Sequence, residues 1–352
     1  MNPLYWMLLA HADREILSRQ DKLEIIKFAL QRGSLEALID GGLEGLPNPL
    51  GQRLHEALRA SAGMGLVLRE LLNSGASVLP LLSDKYPKKL KISLGTQYPL
   101  VLYVLGNVDL LSKKHAVAVV GSRKASLEAM KMAHHVGSYF GGEGYVVITG
   151  MARGVDEEAL KGTLEAGGKA VGVVPFGLLS RKDLLPILGR YQEDILGGRL
   201  TLISELHPQA GWRAGYAMAR NRIVVGLADG VLVMQSGPKE TRADDGKTRQ
   251  SGTWHAVEVA NKQKKLVYVL DLPERGNREL IAANLGKCLP YSFERGVLAE
   301  VEDALHESIR QQSVEKNLLL GDLVPGGQDG GEGSRTIKDE EKTGVSQPKL
   351  LE

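Results

Sequence analysis

The chain has 352 residues, 43% of them hydrophobic, enough for one large α/β domain with smaller attachments. Its net charge of +2 excludes a surface that is basic all over, so any affinity for nucleic acid must come from locally gathered cations. The single cysteine, Cys288, excludes an intramolecular disulfide and argues against a cysteine-built metal site, while no apolar run approaches the roughly 20 residues a bilayer demands; a soluble cytoplasmic protein with no membrane role is expected.

Residues 1–74 read as a small helical domain, with helical periodicity at 22–30 and 54–72 around a Gly- and Pro-bearing stretch at 41–51. Extended apolar segments follow at 78–82 and 100–104. From residue 116 short apolar runs at 116–120, 145–148, 170–174, 201–204, 230–234 and 265–270 alternate with helix-length segments. Runs apolar throughout, rather than at every second position, fit parallel strands covered on both faces. The expected fold class is therefore α/β, an extended Rossmann-like, doubly wound, mostly parallel sheet over residues 75–306. Beyond about 307 the apolar periodicity fades, and 307–352 is expected to be a flexible, disordered tail.

Two successive strand-to-helix turns carry glycine and arginine. Gly121-Ser122-Arg123 follows the strand at 116–120, and Gly150-Met151-Ala152-Arg153-Gly154-Val155-Asp156 follows the strand at 145–148. Glycine lets the backbone approach a ligand, a helix N-terminus presents N–H groups, and arginine adds a charged fork, so the pair suits a phosphate. The plainer readings are a turn at Gly121 and helix caps at Ser126 and Asp156. Neither turn matches the dinucleotide fingerprint or the Walker loop.

Further along, Ser204 and Glu205 end a strand, where open α/β sheets bind ligands. Arg220-Asn221-Arg222 interrupts an otherwise apolar helix at 213–226, and these arginines must reach either a phosphate-lined edge or a structural salt bridge. A polar loop at 237–250 reads as a flexible surface insertion and ends at Ser251-Gly252-Thr253, a third turn of the anion-binding kind. Trp212, Tyr216 and Trp254, beside these turns, are candidates to stack one base each. No nucleophile, base and orienter converge in sequence, and the histidines lack zinc-ligand spacing, so neither a catalytic residue nor a metal or cofactor is assigned.

Taken together, Gly121-Ser122-Arg123, the segment Gly150 to Asp156, Ser204-Glu205, Arg220-Asn221-Arg222 and Ser251-Gly252-Thr253 resemble in order and spacing the DNA-processing protein A family, also called DprA or Smf. Asp84 to Leu90 and Gly276 to Ile281 look like the same family's flanks, and the resemblance covers about residues 75–290. It implies a Rossmann-type protein that binds single-stranded DNA, usually as a homodimer, and helps load RecA onto incoming strands during natural transformation. On that resemblance Gly121, Ser122, Arg123, Gly150, Arg153, Gly154, Arg220, Asn221, Arg222, Ser251, Gly252 and Thr253 would line a phosphate-binding groove, with a role in binding and not in catalysis. Two alternatives stand beside it: a nucleotide-processing, phosphoribohydrolase-like Rossmann enzyme, whose signature spacing Gly252-Thr253 and Glu258 do not match, and a nucleotide sensor in a defence system.

Overall fold

Runs of four or five residues become eight strands of one nine-stranded mixed sheet in the computed structural model, which describes residues 2–60, 63–242, 246 and 248–321 with side chains as far as 311. Helices α1 (Pro3–His11), α2 (Arg19–Gln31), α3 (Leu35–Asp40), α4 (Asn48–Ala60) and α5 (Met64–Asn73) precede β1 (Ala76–Pro80), α6 (Lys88–Leu94) and β2 (Val101–Leu105). The α/β alternation then runs β3 (Ala116–Val120), α7 (Leu127–Gly142), β4 (Val146–Thr149), α8 (Val155–Glu165), β5 (Lys169–Val173), α9 (Arg181–Leu196) and β6 (Leu200–Ser204). After α10 (Ala214–Leu227) and β7 (Gly230–Val233) comes a separate ribbon of β8 (Glu240–Arg242) and β9 (Thr248–Gln250). The chain continues through α11 (Gly252–Lys262), β10 (Leu266–Leu270), α12 (Arg275–Ala282), β11 (Lys287–Leu289) and α13 (Arg295–Gly321).

The strand order is β1-β2-β6-β5-β4-β3-β7-β10-β11. Neighbours from β6 to β11 are parallel, and β1 and β2 extend one edge antiparallel. Winding reverses at β3: β4, β5 and β6 add on one side, and β7, β10 and β11 on the other. Such a reversal opens a crevice beyond the carboxyl ends of the central strands.

Alternation along β3 shows how both faces are covered. Val117 and Val119 pack with Ala133 and Val136 of α7 and Leu298 and Val301 of α13, whereas Ala118 and Val120 belong to the core on the other face. That second core also takes in Trp6, Leu9, Ile25, Leu54 and Leu71, so the N-terminal helices are built onto the sheet. Helices α7 and α8 approach closely through small residues, and Thr163 Oγ1 donates to Gly137 O at 3.2 Å across them. This contact keeps the two helices abreast, with both N-termini at the same end of the sheet.

The structure differs from expectation in three places. The periodic stretch 54–72 is two helices, with Gly63 at the start of the second, since glycine is a poor helix interior residue. The segment 237–250 contains the β8–β9 ribbon, its ladder running from Glu240↔Gln250 to Arg242↔Thr248, while residues 243–245 and 247 lie outside the described residues. Apolar periodicity fades at 307, but α13 continues to Gly321; the expected tail lies outside the described residues from 322 onward.

Candidate functional site

Parallel pairing of β3 with β4, in register from Ala116↔Val146 to Ala118↔Ile148, brings the strand ends Val120 and Thr149 to the same edge of the sheet, so the turns that follow them meet. Gly154 starts α8 at φ 81, and a Cβ there would sit 2.5 Å from Ser122 O; a Cβ on Gly121 would sit 2.5 Å from Val155 Cγ2. Glycine is required at both positions by close approach, and Gly154 also by its left-handed backbone. Val155 N donates to Ser122 O at 3.3 Å, joining the turns directly. Gln235, just after β7, completes the junction: its carbonyl accepts from Ser122 N at 2.9 Å and its side-chain oxygen from Ser126 N at 2.6 Å. Ser126 caps α7, its hydroxyl accepting from Ala129 N.

Asp156 is not the cap of α8 expected from its position; Gly154 is. The carboxylate lies inside the first turn, buried, and reaches back to accept from Gly150 N at 2.9 Å and Ala152 N at 3.5 Å. It thereby fixes a turn in which Met151 holds a left-handed φ of 56, unusual for a residue with a side chain. Burial pushes the Asp156 pKa above the ordinary carboxyl value, against the opposing pull of the Arg220 cation and the amides of Gly150, Ala152 and Gly121.

Arg220 reaches the same place from α10. It is 8% exposed, its Nη2 donates to Gly150 O at 2.6 Å and its Nη1 to Asn221 Oδ1 at 3.3 Å, and its Nε is buried with no partner. The guanidinium lies against Gly150 so closely that a side chain there would overlap it. Asn221 Nδ2 donates to Gly252 O at 3.0 Å, tying α10 to α11, and Ser251 caps α11 by accepting from Trp254 N at 3.2 Å.

These elements enclose an open cleft of about 720 Å³, lined by Gly121, Ser122, Arg123, Ala152, Asp156, Trp212, Arg220, Asn221, Thr241, Arg249, Ser251, Gly252 and Thr253 among others. Among the described residues its charged lining side chains are Arg123, Arg220, Arg249 and Asp156. Opening beside the N-terminus of α11, it is a place for an anion. The Arg123 guanidinium lies over the ring of Trp212, 5.6 Å from its centroid, and that tryptophan is 44% exposed. Arg213 lies over Tyr216 in the same way, at 5.6 Å.

Not every expected residue arrives here. Gly150 and Gly154 shape the second turn, and Arg153 stands exposed on it beside the lining. Arg222 does not reach the cleft: two residues beyond Arg220 on α10, it points about 200° away around the helix and pairs with Glu205 at 2.5 Å. Its expected place in the groove gives way to a structural ion pair, and Glu205 is its partner. Trp254 is 7% exposed and so is withdrawn from base stacking. Sequence reasoning missed Gln235, whose position directly after a central strand at the winding reversal was the available signal, and the lining contributed by Thr241 and Arg249. It also missed why Asn277 matters: fully buried, it accepts from Ser236 N at 2.7 Å and donates to Met234 O and Leu270 O, holding the loop after β7 in place.

The sequence profile of the family described as DNA recombination-mediator protein A matches residues 77–289. The chain belongs to that family. Among curated proteins it is 28% identical over 173 residues to DNA processing protein DprA of Bacillus subtilis, covering 49% of this chain and 57% of that protein. It is 34% identical over 156 residues to DNA processing protein DprA of Streptococcus pneumoniae, covering 44% and 53%. The matched segment thus spans little more than half the length of these relatives. Among solved structures, DNA processing protein A of Streptococcus pneumoniae aligns with a TM-score of 0.63 at 25% identity, over 85% of this chain and 98% of that one. DNA processing protein A of Helicobacter pylori, a structure describing that protein's single-stranded DNA binding mode, shares the fold with a TM-score of 0.51 at 22% identity, over 65% and 96%. For this member of the family, the matched segment contains both glycine turns, Arg220, the β8–β9 ribbon and Asn277.

Proposed function

We propose that the cleft binds the sugar-phosphate backbone of single-stranded DNA and that the protein works by holding a strand, without breaking a bond in it. The observation that carries this reading is the pair at the mouth, where Arg123 lies over exposed Trp212: a phosphate-seeking cation and a base-stacking ring stand together. Duplex DNA keeps its base faces stacked inside, so this pair favours a single strand. Asp156, the carboxylate of the cleft, is already engaged by two turn amides, which suits a clamp better than a general base. In this reading Gly121, Ser122, Arg123, Arg220, Asn221, Ser251, Gly252 and Thr253 form the phosphate-facing wall, with Gly150, Arg153 and Gly154 shaping the turn beside it. Family membership extends the proposal: in the cytoplasm two copies act together, protect incoming DNA and pass the strand to RecA during uptake and recombination.

A fluorescence anisotropy titration tests the core of it. Oligothymidylate should bind more tightly than duplex DNA, with affinity falling as salt rises at a log-log slope of about −0.7 per phosphate contact. Arg123→Ala and Trp212→Ala should each weaken single-strand binding roughly tenfold while leaving the melting temperature unchanged. Equal affinity for duplex, or full affinity in both folded variants, would remove the reading. Retention of RecA on strand-bound protein and sedimentation of the strand-free protein test the hand-over and the dimer separately.

A further inference from the structure

The β8–β9 ribbon stands without a core of its own. All six of its strand residues are exposed, and a two-stranded ribbon lacking an apolar face is marginal by itself in water. It is anchored at its base, where Ser251 N donates to Lys239 O at 2.9 Å and Lys239 Nζ pairs with Glu258 at 2.8 Å. Thr241 and Arg249 face each other across the ladder and therefore share one face of the ribbon, and both line the cleft. Glu240 and its ladder partner Gln250, one residue away, fall on the other face; of the two, Gln250 also lines the cleft and Glu240 does not.

We infer that this ribbon is an arm that grips a bound polynucleotide, its Thr241 and Arg249 face contacting the strand beyond the phosphate held by the two glycine turns. The arm makes the cleft selective for a strand over a single nucleotide. This inference rests on the reading of the cleft as a single-stranded DNA site. A mononucleotide seated on the turns offers the arm at most one phosphate, whereas a strand leaving the cleft carries a phosphate at every step. The side chains suit that partner, since Arg249 supplies charge-assisted hydrogen bonds and Thr241 a hydroxyl, and the six strand positions carry no apolar residue that would recruit a hydrophobic one.

The ladder itself shows how to remove the arm. Replacing residues 241–249 by Asn-Gly closes a two-residue hairpin turn on the Glu240↔Gln250 rung and leaves the anchors at Lys239 and Ser251 in place. Affinity for an oligothymidylate of about 20 nucleotides should fall at least tenfold, and the salt slope should shrink by about 0.7 for each phosphate that the arm would have neutralised. Calorimetric binding of thymidine monophosphate, which has one phosphate to lose a contact from, should weaken by a smaller factor than oligonucleotide binding does. Arg249→Gln combined with Thr241→Val keeps the arm's length and should act in the same direction, more weakly. If the excised protein melts like the intact one and binds the oligonucleotide with unchanged affinity and slope, the arm is overturned and the cleft reading stands. Should excision prevent folding, unchanged affinity and slope in the double variant overturn the arm. If the intact protein fails to bind the oligonucleotide, both fall.

Discussion

The cleft and the edge where α1 and α2 close over β2 and β6 are both rich in cations, and they use them differently. At the edge Arg19, Lys22 and Arg222 each meet an acceptor supplied by the fold. Arg19 donates to Thr96 O at 2.8 Å and to Tyr98 O at 2.5 Å, Lys22 Nζ to Ala12 O at 2.7 Å, and Arg222 pairs with Glu205 at 2.5 Å. His11 Nε2 shares a hydrogen bond of 2.7 Å with Tyr103 OH. In and beside the cleft, Arg123 and Arg153 are exposed and, among the described residues, form no ion pair; an orphaned nitrogen does not mark the difference, since Arg220 Nε and Arg222 Nη1 are both buried without a partner. The residue type does not separate structural from functional cations; what separates exposed Arg123 and Arg153 from Arg222 is that a carboxylate of the fold has already taken the charge of Arg222.

The largest expected effect comes from forcing apart the two turns that make one cleft. Gly154→Ala places a side chain at φ 81 and 2.5 Å from Ser122 O, so strain and a forced backbone shift together should cost about 3 kcal/mol in a denaturant melt and abolish strand binding. An unchanged melt would mean the turns are not pressed together. Next comes the exchange between regions. Arg222→Ala leaves Glu205 partly buried without its partner and should cost about 2 kcal/mol of stability, with the folded protein binding single strands within about twofold of the parent. Arg123→Ala should do the reverse. Equal binding losses in the two variants at matched stability would break the distinction between structural and functional cations.

How much of this was legible in the sequence follows from which signals are local. The strand at 116–120 was found with its observed limits because apolar runs in a doubly covered sheet need no partner to be recognised. The glycine turns were legible for the same reason, since their chemistry lies in consecutive residues. Helix α9 was legible only as a helix-length segment between two strands, because Pro186 stands inside it, at its sixth residue, where proline removes an i→i−4 hydrogen bond. The fate of Arg220 and Arg222 was not legible, because it depends on which side of α10 meets Gly150 and which meets Glu205, residues distant in sequence. Asp156 looked like a cap from its place before a helix, and its true acceptor role needed the fold of the preceding turn.

The smallest effect sharpens the comparison through pH. Burial is the main cause that pushes the His11 pKa down from 6.5 to about 3, with the nearby His207 and Lys22 adding to it. Between those values the unfolded chain binds a proton that the folded chain refuses, so stability is fully present above pH 6.5 and falls on acidification by about 1.4 kcal/mol per pH unit. Going from pH 7.5 to 5.5, His11 should therefore contribute about 1.4 kcal/mol of lost unfolding free energy, the share that His11→Asn should remove, while His115, His135, His207 and His255, also held below the ordinary value by burial, add losses that the variant keeps. Asp156, raised by burial, contributes a slope of opposite sign, and the difference between parent and variant isolates the histidine from it. Guanidinium groups stay protonated throughout that interval. Strand affinity of the folded protein should consequently change less than its stability does. If binding instead tracked the melt in the parent and became flat in His11→Asn, the two regions would be coupled, and the edge would have to be read as part of the site.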